Sequence, residues 1–170
     1  MRKRLFIATV IFVVSFIIGF LLFKNMFWFD DLEKVEIVTP NFWKIFINNS
    51  CVCIFLIIGI GVITVPLGAY QGFQLGAMLS IWLNAGNPIT GYILLTIPHC
   101  IFEIPALVIS IALGLYSGSE LLVFYKNKSV NLKEYIREIK KWLFVIIVLL
   151  IVAAIVETFI TGNVYNRYYV

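Results

Sequence analysis

The stretch Arg2-Lys3-Arg4 followed by Leu5–Phe23 (LFIATVIFVVSFIIGFLLF) decides the fold class, because three cations precede nineteen residues without a charge. About 20 apolar residues in a helix cross the ~30 Å hydrocarbon core of a bilayer. The pattern shares a basic start and an apolar run with a secretory signal. Its apolar run is too long for one, however, and it ends in Lys24-Asn25-Met26-Phe27-Trp28 rather than at a small-x-small cleavage site. It reads as a retained first transmembrane helix.

The rest of the chain obeys the same solvent. Of 170 residues, 62% are hydrophobic and 13% charged, whereas a soluble domain carries about 25% charged residues. Of the 22 charged residues (13 basic, 9 acidic), 18 fall in segments 2–4, 24–44 and 126–141. Those segments are loops, the stretches between them lie in lipid, and the net charge of +4 concerns orientation rather than nucleic acid. The predicted fold is an all-α integral membrane protein in one polytopic domain, with about five transmembrane helices and one short re-entrant segment.

Spans are predicted near 5–23, 50–68, 89–104, 106–124 and 142–161. Residues 71–84 are too short to cross comfortably and are expected to dip in and return. Asn84-Ala85-Gly86-Asn87-Pro88 is a turn by composition. Pro98 and Pro105 are expected to break the helices around them. Asn131 with Glu134 resembles a capping box, and Leu132, Tyr135, Ile136 and Ile139 recur at helical spacing, so 131–141 reads as an amphipathic helix on the anionic leaflet. Segment 126–141 carries a net +4. It and residues 2–4 should both face the cytoplasm, which puts the N-terminus inside and the C-terminus outside a cell membrane.

Two stripes of small residues, Gly68, Gly72, Gly76 and Ala106, Ser110, Gly114, Gly118, recur every four positions. In lipid such stripes let helix backbones approach closely, here within the chain or, alternatively, in a homo-oligomer. Cys51, Cys53 and Cys100 stand in apolar surroundings and are expected to be buried free thiols. The sharpest motif is Pro98-His99-Cys100-Ile101-Phe102-Glu103-Ile104-Pro105-Ala106. His99 and Glu103 are four apart and share a helix face. Ionisable side chains in a span are costly unless paired or hydrated. The pair is therefore a polar lock, the lining of a pathway, or part of a metal or catalytic site. A catalytic zinc needs about three protein ligands, so a third must come from Glu157, Glu120 or a cysteine. Glu157 either reaches the outer interface or faces this pair, and Glu120 is expected at an interface.

This motif, leading into Gly114-Leu115-Tyr116-Ser117-Gly118, resembles the P-H-G-x-x-E-x-P-A segment of the stage II sporulation protein M family. Asn48-Asn49 and Gln71-Gly72-Phe73-Gln74-Leu75-Gly76 are similar to further family features over about residues 42–160. Cys100 stands where the family has glycine, and Gln71 where it has asparagine. The resemblance implies a multispanning membrane protein, a scaffold in an engulfment complex with peptidoglycan hydrolases, or a participant in circular bacteriocin maturation, export or immunity. The expected function is a non-enzymatic membrane subunit of such a complex, with the bilayer, other membrane proteins and a peptide as its partners. The alternative is an intramembrane metal-dependent hydrolase or peptide-processing enzyme on His99, Glu103 and Glu157. No cofactor is predicted for the first, and zinc is the ion for the second.

Overall fold

The structure, a computed structural model, describes residues 1–24, 41–127 and 131–161, and among these every regular element is helical. They are α1 (Arg2–Phe23), α2 (Phe42–Ile58), α3 (Thr64–Asn84), α4 (Ile89–Asn127) and α5 (Leu132–Val156), with α5 running on into a π-helical turn, Glu157–Thr161. The protein is an all-α membrane protein. Helices α1, α4 and α5 are long and apolar enough to cross a membrane, and α2 is a shorter apolar helix.

Neighbouring side chains fix the directions. Gly72 of α3 faces the Phe12 carbonyl of α1 and Gly76 faces the Phe16 carbonyl, so α1 and α3 run parallel. The Asn84 side-chain amide closes the far end of this pair by donating to the Phe23 carbonyl at 2.8 Å. Gly114 and Gly118 of α4 lie against the Leu56 and Ile60 carbonyls, so α2 runs parallel to α4. The Tyr135 hydroxyl donates to Ser117 Oγ at 3.0 Å while Glu157 lies beside His99, which sets α5 antiparallel to α4. The five helices thus alternate in direction along the chain.

Helix α4 occupies the centre and packs on all four others. Its Ala106, Ile111, Ala112 and Leu113 have no exposed surface. At the basic end, Arg4 donates to Ser119 Oγ at 2.7 Å and its guanidinium sits 4.6 Å over the Tyr116 ring. Glu120, Glu134 and Glu138 line the pocket around Arg4. Residues 2–4 and the start of α5 therefore lie at one end of the bundle.

Several expected boundaries are corrected. The span expected over 50–68 ends at Ile58, and a turn leads into α3. Ile60 and Gly61 take positive φ values of 49° and 81°. The buried Thr64 hydroxyl accepts from Gly61 N at 3.1 Å and donates to the Leu56 carbonyl at 2.7 Å, tying the turn shut. Pro66 falls in the first turn of α3, where its missing N–H would have had no helical partner. Residues 71–84 are consequently not a separate short segment but the greater part of α3, whose 21 residues extend roughly 32 Å at 1.5 Å each.

Pro98 and Pro105 do not break the chain into two spans, for both lie inside the continuous 39-residue α4. Each removes one backbone donor, which in water would favour ending the helix. Packing of α4 on its four neighbours outweighs that loss, as is common for proline in membrane helices. The helix expected over 131–141 is likewise continuous with the following span in α5. Its start is capped as expected, Asn131 Oδ1 accepting from Glu134 N at 3.3 Å. Of the cysteines, Cys53 and Cys100 are buried but Cys51 is exposed, and all three are free.

Candidate functional site

The site grows from one turn of α4. At about 100° per residue, His99, Cys100 and Glu103 occupy an arc of roughly 100° on the helix surface. Their ligand-type atoms, an imidazole nitrogen, the thiol sulfur and a carboxylate oxygen, all lie within 4.8 Å of one another. Cys100 is 7% exposed, and His99 and Glu103 are half-buried. His99 Nδ1 is buried and has no hydrogen-bond partner among the described residues. A direct bond from His99 to Glu103 is not among those formed by the described residues, so the pair is not a closed internal lock.

Two other elements converge here. The π-helical turn packs on α4 and carries Glu157 into the same place, so of the two readings for Glu157 the structure realises the one facing His99 and Glu103. A wider turn of this kind inside or at the end of an α-helix commonly re-aims a functional side chain. From α2 come Lys44, Asn48 and Asn49, which with His99, Glu103 and Glu157 line a pocket of about 420 Å³. On the other side of the same three residues a cavity of about 370 Å³ runs beneath α1 and α3, lined by Gln71, Gln74, Tyr92, Thr96 and Cys100 among others. His99, Glu103 and Glu157 border both spaces.

Depth follows from register. Glu103 is roughly 21 Å along α4 from Ile89 and roughly 25 Å from Glu120 at the basic end. With Leu56 beside Gly114, the first turns of α2 lie level with the cluster, so Lys44 and Asn48 are exposed at half the height of the bundle.

The small-residue positions lie at helix contacts within the chain. Gly72 and Gly76 are buried against α1, Gly68 against Ile111 and Gly114 against the α2 end, while the half-buried Gly118 lies against the turn at Ile60. Ala106 and Ser110 are fully buried, with Ser110 Oγ donating to the Ala106 carbonyl at 2.8 Å. Glu120 lies at the basic end, away from the cluster.

Sequence reasoning did not single out Lys44, which it counted with the loop, or Gly19, whose position faces the Phe73 carbonyl across the α1–α3 seam. Amides in an otherwise apolar run, as at Asn48, Asn49, Gln71 and Gln74, were the available signal for the cavity lining.

The family model described as Stage II sporulation protein M matches residues 8–162. The uncharacterized protein MJ0793 of Methanocaldococcus jannaschii is 29% identical, over 96% of this chain and 97% of its own length. The uncharacterized protein MJ0706 of the same organism is also 29% identical, over 96% of this chain and 83% of its own length. No solved structure matches the chain.

Proposed function

Since the chain belongs to the stage II sporulation protein M family, we propose that it works as a non-enzymatic, membrane-embedded subunit that holds other membrane proteins in a larger complex. The observation that supports this is the exposure of Lys44 and Asn48 on α2, level with the polar cluster. Within a bilayer, an ammonium or amide left facing lipid is costly, and asparagine is a common means of hydrogen bonding between helices. Asn48 Nδ2 donates to Asn49 Oδ1 at 3.3 Å, and a transmembrane segment of a partner that brings hydrogen-bonding groups to this face gives Lys44 a partner and uses the bonding capacity Asn48 has left. The apolar outward faces of α1 and α5, with Phe6, Leu21, Leu22 and Phe144 more than half exposed, suit lipid alone.

In this reading the basic end is cytoplasmic, the chain makes five passes and the C-terminus lies outside. The setting we propose is a complex either for cell-wall remodelling of the sporulation type or for maturation, export or immunity of circular bacteriocins. Neighbouring genes separate them: a peptidoglycan hydrolase supports the first, and a peptide precursor beside a transport ATPase the second.

A photo-crosslinking residue at Asn48, in the native membrane, is expected to capture a second polypeptide species, and one at Leu22 is not. His99→Ala and Glu103→Ala should weaken that capture. Cross-links from position 48 that stay within this chain overturn the reading.

A further inference from the structure

We propose that His99, Cys100 and Glu103 bind one divalent cation of the zinc class, held where α2, α4 and the π-helical end of α5 meet, with Glu157 beside it. The inference is independent of the subunit reading and adds a ligand to the polar cluster.

Geometry is the first support. Three donors of three kinds lie within 4.8 Å of one another on one turn of α4. Zinc bonds of about 2.0–2.3 Å place tetrahedral ligand atoms roughly 3.3–3.8 Å apart. The side chains need close by only about 1 Å, within the reach of rotamer adjustment on an unmoved backbone. Three protein ligands leave a fourth position, and the two cavities bordered by His99, Glu103 and Glu157 supply space for a water there, with the Glu157 carboxylate beside it.

Unmet bonding is the second. His99 Nδ1 is enclosed without a partner, and a buried polar atom left so costs on the order of 1–3 kcal/mol. Metal ligation uses such a lone pair. Charge is the third. A dication on the Cys100 thiolate and the Glu103 carboxylate is a centre without net charge. Without the ion, Glu103 and Glu157 are two acids brought together in an apolar bundle, an arrangement lipid penalises.

The donor set selects the ion. Magnesium and calcium take oxygen ligands, whereas nitrogen, sulfur and oxygen together suit zinc and its neighbours. On binding, Cys100 gives up its thiol proton to water and no oxidation state changes.

The full chain, purified in detergent and stripped with chelator, is titrated with Zn²⁺ and, separately, with Co²⁺. One equivalent should bind, and the Co²⁺ form should show tetrahedral d–d bands with a thiolate charge-transfer band in the near ultraviolet. Cys100→Ser, close in shape to the original, should lose the charge-transfer band. His99→Gln and Glu103→Gln should lower zinc affinity by more than the roughly 10–100-fold that changes beside a metal's ligands cause, and Glu157→Gln should fall within that range. Glu120→Gln, at the far end of the bundle, should bind as the parent does. Circular dichroism and gel filtration establish that each variant compared is folded. Binding below one equivalent, a Co²⁺ spectrum lacking the thiolate band, or equal loss in Glu120→Gln overturns the site. The cross-link from position 48 reads the subunit proposal separately.

Discussion

At the scale of the residue, the glycines of α3 are not equivalent. A methyl at Gly72 or Gly76 would meet backbone of α1, at Phe12 and Phe16, and backbone cannot step aside. At Gly68 it would meet the Ile111 side chain at 2.7 Å, whose end can rotate. Gly76→Ala is therefore expected to destabilise the fold by about 3 kcal/mol, at the upper end of overpacking costs, by prising α1 from α3. Gly68→Ala should cost about 1 kcal/mol. Denaturation followed by tryptophan fluorescence in mixed micelles ranks them, and equal losses would contradict the seam described for α1 and α3. The same scale shows why Cys100 is informative. It replaces the glycine of the family pattern, and it adds to His99 and Glu103 the third donor that their spacing alone did not provide.

Among elements, the α2–α3 hairpin depends on one hydroxyl. Thr64→Val keeps the shape of the side chain but leaves Gly61 N and the Leu56 carbonyl without their partner. Losing these bonds in a fully buried place should cost about 1–3 kcal/mol, and hydrogen exchange at residues 59–64 should rise before that of α4. Thr64→Ser, which restores the hydroxyl, should recover most of the loss. This hairpin also marks where the sequence was hard to read. Leu5–Phe23 was legible as α1 because an uncharged run of bilayer length has few other interpretations. The join at 59–63 lies within a run of equally apolar residues, and its signals, a positive φ at Gly61 and the Thr64 bonds, exist only once the turn has closed. Pro98 and Pro105 misled for the opposite reason. They carry a strong local rule, which the packing of α4 on four neighbouring helices overrode. In the polar cluster, the His99–Glu103 relation was visible from spacing, whereas Lys44, Asn48 and Asn49 arrive from a helix whose register no local pattern encodes.

For the whole molecule, the alternation of helix directions yields a test of orientation. Residues 2–4 and the start of α5 share one end, and the turn at 84–88 lies at the other. In intact cells, an impermeant maleimide should label Asn87→Cys and leave Lys133→Cys unlabelled until the membrane is permeabilised, with the native cysteines replaced by serine. The reverse pattern would place the basic end outside. The sequence reading divided α4 in two and took residues 71–84 as a separate short segment; in the structure α4 is continuous, 71–84 belong to α3, and residues 2–4 and the start of α5 lie at one end of the bundle.

The parallel seam between α1 and α3 carries a consequence for biosynthesis. The glycines that receive α1 lie about sixty residues downstream of it, which at about 5–20 residues per second is a delay of roughly 3–12 s. For that time α1 must persist in the bilayer without its groove. Of its residues only Ala8, Phe12 and Gly19 are buried in the finished bundle, so most of its surface suits lipid before docking as it does after. Order of emergence thereby separates insertion from assembly: α1 is threaded first as an autonomous anchor, and the bundle closes on it only when Gly72 and Gly76 arrive.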